Sequence, residues 1–133
     1  MSQANIATVQ RLYAAFGRAD IATIINGCTP DIAWHCNGRR SDFPTFGHFN
    51  GHSGVTGFFK TVAETNAFSE FSPREFYSDG DKVFVLGHYA LTVKKTGKSM
   101  ASDWCHIFTF QDGKVAKFRE FLDTAQAAEA YRG

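Results

Sequence analysis

The sequence predicts an α+β fold, because its helical patterns lie mostly in the first half and its strand patterns in the second. Apolar residues recur at helical spacing before residue 65, whereas apolar stretches separated by short turn signals follow it. The 133 residues fit one domain, 1–133, and the 44% of apolar residues, including 14 phenylalanines, supply a large core. We therefore expect one sheet with a face that helices cover.

Three helices are predicted before the main run of strands, and one after it. The first carries an i, i+3, i+4 apolar stripe and is expected to end at Gly17 in the left-handed conformation. Asp20 can cap a short second helix that Gly27 terminates. Ser53 can cap the third helix, and Asp123 can cap an alanine-rich helix at the C-terminus.

Strand patterns are bounded by turn dipeptides. Asp79-Gly80, Thr96-Gly97 and Asp112-Gly113 are typical of hairpin turns, so the last four strands are expected to form an antiparallel meander. The predicted strands cover residues 31–36, 71–78, 82–94, 99–110 and 114–122.

Residues 37–52 are predicted to form a loop. It is longer than loops that only connect two elements usually are, so we expect it to close over a ligand. Arg39 and Arg40 in this loop can bind an anionic ligand group with their guanidinium forks, or remain solvated.

Charge, hydropathy and cysteine content argue against several classes of protein. The 14 Lys and Arg residues balance 13 Asp and Glu residues without a basic stripe, which argues against a nucleic-acid partner. No apolar run reaches the roughly 18 residues of a membrane helix, and the start lacks a signal peptide, so we expect no membrane and a cytoplasmic location. Cys28, Cys36 and Cys105 lack the spacing of a zinc site or a disulfide framework, and no Gly-rich phosphate loop occurs. We expect buried thiols, no metal and no cofactor.

The predicted turns set the register of the last three strands. A three-residue turn between the last two strands would place His106 opposite Phe118, with Glu120 diagonal to His106. A two-residue turn before them would place Tyr89 opposite Trp104. A register error of one residue would turn a whole strand over. The face that results carries Tyr89, Ser102, Trp104, His106, Phe118, Glu120 and Leu122.

These patterns resemble the SnoaL-like branch of the nuclear transport factor 2-like superfamily, which includes ketosteroid isomerases, polyketide cyclases and limonene epoxide hydrolases. The segments that carry the resemblance are residues 9–16 (VQRLYAAF), 31–34 (DIAW) and 110–123 (FQDGKVAKFREFLD). The resemblance covers nearly the whole chain. It implies a cone-shaped, curved antiparallel sheet covered by N-terminal helices, the cystatin-like roll, with a ligand inside the cone and a homodimer formed by the convex surface.

Glu120 is the candidate for proton transfer, because an apolar pocket disfavours the charged form of a carboxyl group. His106 is its expected partner. In the similar limonene epoxide hydrolases a matching carboxylate works with an Arg and an Asp, but those positions here are Gly87 and Tyr89, which argues against epoxide hydrolysis. Tyr89 can instead donate a hydrogen bond to a carbonyl or enolate oxygen, as a tyrosine does in ketosteroid isomerases. The alternative is a Glu120–His106 pair that only satisfies itself.

Aromatic residues supply the expected ligand contacts, since flat rings stack on flat hydrophobic molecules, although core packing is the alternative for each. The residues expected to contact the ligand are Trp34, Trp104, Ser102, Phe118, Tyr13 and Phe16.

The preferred hypothesis is a cofactor-independent isomerase, cyclase or lyase that moves a proton on a hydrophobic cyclic or polyketide-like substrate. Its catalytic residues would be Glu120, His106 and Tyr89. Two alternatives stay open: a noncatalytic protein that binds a hydrophobic small molecule, and a dimeric interaction module with a filled cone.

Overall fold

The computed structural model describes residues 2–133, and it confirms the predicted combination of helices and one sheet. No helix within these residues is long and apolar enough to cross a membrane. The elements in chain order are α1 (Ser2–Gly17), α2 (Ile21–Asn26), β1 (Cys28–Cys36), β2 (Gly47–Asn50), α3 (Gly51–Thr65), β3 (Asn66–Asp79), β4 (Lys82–Val93), β5 (Ser99–Gln111), β6 (Lys114–Phe121) and α4 (Thr124–Tyr131).

The six strands form one open, mixed sheet in the order β2-β1-β6-β5-β4-β3. The predicted antiparallel meander is confirmed for β3 to β6. The sheet is extended by β1, which pairs in parallel with β6 and antiparallel with β2. The sequence did not predict β2, because its four residues lie inside the segment that reads as a loop.

Two predicted helix caps are confirmed. The Asp20 carboxylate accepts a hydrogen bond from the Thr23 backbone N–H at 3.2 Å, at the start of α2. The Asp123 carboxylate accepts one from the Gln126 backbone N–H at 3.0 Å, at the start of α4. These bonds satisfy backbone donors that the first turn of a helix leaves unpaired.

Two other helix ends differ from the prediction. The left-handed residue after α1 is Ala19, with φ 58°, rather than Gly17, which lies within the helix. The third helix begins at Gly51, two residues before Ser53, because β2 runs directly into it.

The register of the hairpins differs from the prediction by two residues. His106 pairs with Glu120 rather than Phe118, because the turn after β5 has two residues and Ala116 forms a bulge on β6, each of which shifts the pairing by one. Tyr89 pairs with Ser102, also two residues from the prediction. Since side chains alternate with a period of two, the predicted face is kept.

The core lies between that inner face of the sheet and the first three helices. On α3, Val55, Phe58 and Val62 are buried at helical spacing, and α3 packs against β1 and β2. On α1, Val9 and Leu12 are buried, and this helix packs against β3 and β4. The helix α1 thus covers the β3–β4 side of the sheet, and α3 covers the β1–β2 side.

Candidate functional site

The inner face of the sheet and the covering helices surround a cavity of about 90 Å³. Its lining is mostly aromatic and aliphatic, with a few polar groups. This volume is smaller than the roughly 150 Å³ of a cavity known to take benzene and well below the roughly 300 Å³ of typical ligand pockets. In this conformation the cavity therefore suits only a very small molecule.

Four polar side chains that line the cavity form a hydrogen-bonded row, here called the polar row: Tyr13, His106, Glu120 and Tyr89. The Tyr13 hydroxyl lies 2.7 Å from His106 Nδ1, and His106 Nε2 lies 2.8 Å from Glu120 Oε2. The Tyr89 hydroxyl donates to the same Glu120 oxygen over a longer distance of 3.4 Å. An acid–base pair is thus held between two phenol groups.

The fold brings these residues together from four different elements. His106 on β5 and Glu120 on β6 are direct cross-strand partners on the inner face. Tyr89 on the neighbouring strand β4 shares that face, and Tyr13 reaches the pair from α1 above the sheet. The shortened turn and the bulge at Ala116 are what place Glu120 directly beside His106.

The polar row has two consistent hydrogen-bonding patterns. With a neutral imidazole, Tyr13 donates to Nδ1 and the Nε2–H donates to Glu120. With a protonated imidazole, Nδ1–H donates to the Tyr13 oxygen, and the hydroxyl hydrogen of Tyr13 must turn elsewhere. Protonation of His106 therefore releases a hydrogen-bond donor at the cavity wall.

Burial and the charge of Glu120 keep the neighbouring acids protonated. Burial raises the pKa of Tyr13 and of Tyr89 well above the usual value, and the Glu120 charge raises each further. Burial, followed by the Glu120 charge, also raises the pKa of the Cys36 thiol. Glu120 is therefore surrounded by neutral groups that have hydrogens to donate.

Stacked aromatic rings fix the position of the polar row. The Trp104 ring stacks on His106 with centroids 3.8 Å apart, and Phe118 meets His106 edge-on at 4.9 Å. Trp34 stacks on Phe118 at 3.9 Å. Trp104 also covers Gly87, where an added Cβ would lie 2.5 Å from Trp104 Cη2. Position 87 therefore has no room for a side chain while Trp104 keeps this position.

Most of the residues singled out from the sequence line the cavity: Tyr13, Phe16, Trp34, Tyr89, His106, Phe118 and Glu120. Ser102 does not, because its hydroxyl donates to the Asp103 carbonyl at 2.7 Å and accepts from the Asp123 backbone N–H at 3.0 Å. Trp104 lies behind His106 rather than on the lining. Phe43 and Phe46 also line the cavity, but the sequence does not predict this, because they lie in an irregular segment without periodicity.

The two arginines of the long loop are engaged within the protein. Arg39 pairs with Asp42 at 3.0 Å, and Arg40 donates to the backbone carbonyls of Phe46 and His48. Within residues 2–133, no three His, Cys, Asp or Glu side chains are grouped so that they could hold a metal ion.

Comparisons with known proteins agree with the fold. Residues 9–118 match the family described as SnoaL-like domain. No curated protein matches the sequence. Among solved structures, an NTF2-like protein from Burkholderia xenovorans LB400 is 30% identical, with a TM-score of 0.91 over 99% of this chain and 98% of that chain. An NTF2-like protein of unknown function from Burkholderia pseudomallei K96243 is 27% identical, with a TM-score of 0.87 over 98% of each chain. TerC, which was co-crystallised with polyporic acid, is 30% identical, with a TM-score of 0.85 over 96% of this chain and 97% of that chain.

Proposed function

Since the chain belongs to the family of SnoaL-like domains, we propose that its cavity binds a small hydrophobic molecule and that Glu120, with His106 as its hydrogen-bonding partner, moves a proton on it. The observation that carries the proposal is the 2.8 Å contact between His106 Nε2 and Glu120 Oε2 on the wall of an apolar cavity. A histidine paired with a carboxylate in such surroundings is suited to general acid–base catalysis.

The proposed reaction is the shift of a double bond next to a carbonyl group. Glu120 receives both of its hydrogen bonds from the polar row on Oε2, so Oε1 is the oxygen that takes a proton from the carbon beside the carbonyl. The bond electrons move into the enolate, whose oxygen accepts a hydrogen bond from Tyr89 after the Tyr89 hydroxyl turns away from Glu120 Oε2. The proton then returns to a different carbon, and no oxidant or cofactor is required.

The ligand crystallised with TerC supports binding of a small organic molecule by a similar chain. A noncatalytic binding protein is the second candidate. Its support is that, with a neutral imidazole, each hydrogen of the polar row has an acceptor within the row. A network satisfied in this way can serve structure alone.

The test uses 3-cyclohexen-1-one, a one-ring ketone whose conversion to 2-cyclohexen-1-one is followed by the absorbance of the conjugated product. Three proteins are compared: the natural chain, Glu120→Gln and Asp103→Asn. Asp103 is the matched control, because it forms a His–carboxylate pair with His88 at the same 2.8 Å but on the outer face. Ligand binding is measured separately by calorimetry.

We expect the natural chain to accelerate the isomerisation and Glu120→Gln to lose about 10²- to 10⁴-fold of that rate while still binding the ketone. Asp103→Asn should retain the natural rate. Binding without turnover in the natural chain would favour the noncatalytic candidate, and equal rates for the natural chain and Glu120→Gln would exclude Glu120 as the base.

A further inference from the structure

One wall of the cavity is made by residues 37–46, which form neither helix nor regular strand. Phe43 and Phe46 of this segment line the cavity, and each is only 2% exposed. The Phe43 ring packs against Phe46 at 5.3 Å and against Tyr131 of α4 at 5.5 Å. Together with Thr45, which also lines the cavity, these two phenyl rings form a wall that neither the sheet nor a helix carries.

The backbone of this segment is held so that Phe46 stays in place. Arg40 Nε donates to the Phe46 carbonyl at 3.0 Å, and Arg40 Nη2 donates to the His48 carbonyl at 2.6 Å. The Arg40 guanidinium also lies 4.2 Å from the centre of the Phe49 ring. Gly38 has φ +130°, and an added Cβ there would lie 2.8 Å from Phe46 Cγ. The hydrogen bonds of Arg40 and the close approach of Gly38 thus fix the position of the Phe46 ring.

We propose that Phe43 and Phe46 set the upper size limit of the ligand, so that the cavity excludes molecules with two or more rings. The free volume of about 90 Å³ is below the roughly 150 Å³ of a cavity that takes one benzene ring, so a molecule with two rings has no room while both phenyl groups are present. Removal of either phenyl group would open the cavity toward the irregular segment without touching the polar row. This inference rests on the proposed ligand-binding function, but it does not require catalysis.

The test compares Phe43→Ala, Phe46→Ala and the natural chain for binding of N-phenyl-1-naphthylamine, a neutral multi-ring probe that becomes fluorescent in apolar surroundings. The rise in probe fluorescence reports binding, and its dependence on the two cavity-lining phenylalanines reports whether the probe is bound there. The matched control is Phe110→Ala, because Phe110 is 6% exposed and part of the core but does not line the cavity. Near-UV circular dichroism confirms that each variant keeps its packed core.

We expect both cavity variants to bind the probe at least tenfold more tightly than the natural chain and Phe110→Ala. If an alanine variant loses its near-UV signal, the leucine variant at the same position, Phe43→Leu or Phe46→Leu, is used instead. We expect the leucine variant to bind the probe about threefold more tightly than the natural chain does. The inference is overturned if either position shows no gain, or if Phe110→Ala gains as much, since any truncated core would then admit the probe.

Binding of 3-cyclohexen-1-one by the same variants separates this inference from the proposed function. Each substitution should raise the affinity for the ketone by less than it raises the affinity for the larger probe, because the ketone is the smaller molecule. A natural chain that does not bind the ketone at all would contradict the proposed function, whereas the size limit fails only on the affinities for the larger probe.

Discussion

His106 and Glu120 form a pair whose atoms lie 2.8 Å apart while only 6% and 12% of the two side chains are exposed. His88 and Asp103 form a pair at the same distance on the outer face, but with 23% and 87% exposure. If the contact with His88 is lost, water can hydrogen-bond to the exposed Asp103 carboxylate. If Glu120 is lost, the buried His106 nitrogen has no water to take its place. Loss of the contact should therefore lower the free energy of unfolding more on the inner face than on the outer face.

The first prediction compares Glu120→Ala with Asp103→Ala. Loss of Glu120 leaves His106 Nε2 buried without a partner, so the free energy of unfolding should fall by about 2–3 kcal/mol. Loss of Asp103 should cost less than about 1 kcal/mol, since its pair is solvated. Urea unfolding measures both, and equal losses would contradict the buried role of Glu120.

Tyr13→Phe should be destabilising because it removes the hydroxyl that lies 2.7 Å from His106 Nδ1. The buried nitrogen then lacks a partner, which costs about 1–3 kcal/mol in the free energy of unfolding. Tyr77 is the control: it is 54% exposed, and its hydroxyl donates to Glu75 at 2.6 Å. Tyr77→Phe should change stability by no more than about 0.5 kcal/mol in the same unfolding experiment.

The raised pKa values of Tyr13, Tyr89 and Cys36 predict a loss of stability at high pH. In the unfolded chain a cysteine loses its proton near pH 9 and a tyrosine near pH 10, whereas in the folded chain these three groups keep theirs. The unfolded state then binds fewer protons, so the free energy of unfolding falls as the pH rises above about 9. The urea midpoint should be flat with respect to these groups below pH 8 and fall between pH 9 and 11.

The variant Tyr13→Phe/Tyr89→Phe provides the control for this pH dependence. It lacks two of the buried acids with a raised pKa, while Cys36 and Cys28, the latter with a pKa of about 11, remain, so its urea midpoint should fall less steeply over the same range. An equal slope in the double variant would show that other groups cause the loss.

The strands of the main sheet and two helix caps were predictable because each depends on local chemistry. Hairpin turns need residues such as the Asp112-Gly113 pair, and Asp20 and Asp123 each satisfy a backbone donor three residues away. The parallel pairing of β1 with β6 was not predictable in this way. It depends on a contact between residues such as Trp34 and Phe118, which are far apart in sequence.

The face of the candidate site was predictable, but its register was not. Alternation along the strand fixes the side on which His106 and Glu120 lie, and a shift of two residues leaves that side unchanged. The bulge at Ala116 has no sequence signature of its own, so the direct pairing of His106 with Glu120 emerged only from the structure. Phe43 and Phe46 were missed because an irregular segment has no period from which burial can be inferred.

Substitution of Gly87 is the most direct test of whether the Trp104 ring holds His106 in place. An added Cβ would lie 2.5 Å from Trp104 Cη2 and 2.7 Å from the Ser72 carbonyl oxygen. Gly87→Ala should therefore force Trp104 away from His106 and lower the free energy of unfolding by about 1–3 kcal/mol. The control is Gly57→Ala in α3, where nothing lies within 4 Å and the better helix propensity should add up to about 1 kcal/mol. Thermal unfolding distinguishes the two, since the midpoints should move in opposite directions. If Gly87→Ala leaves the unfolding midpoint unchanged, the Trp104 ring can shift without cost and does not hold His106 in place.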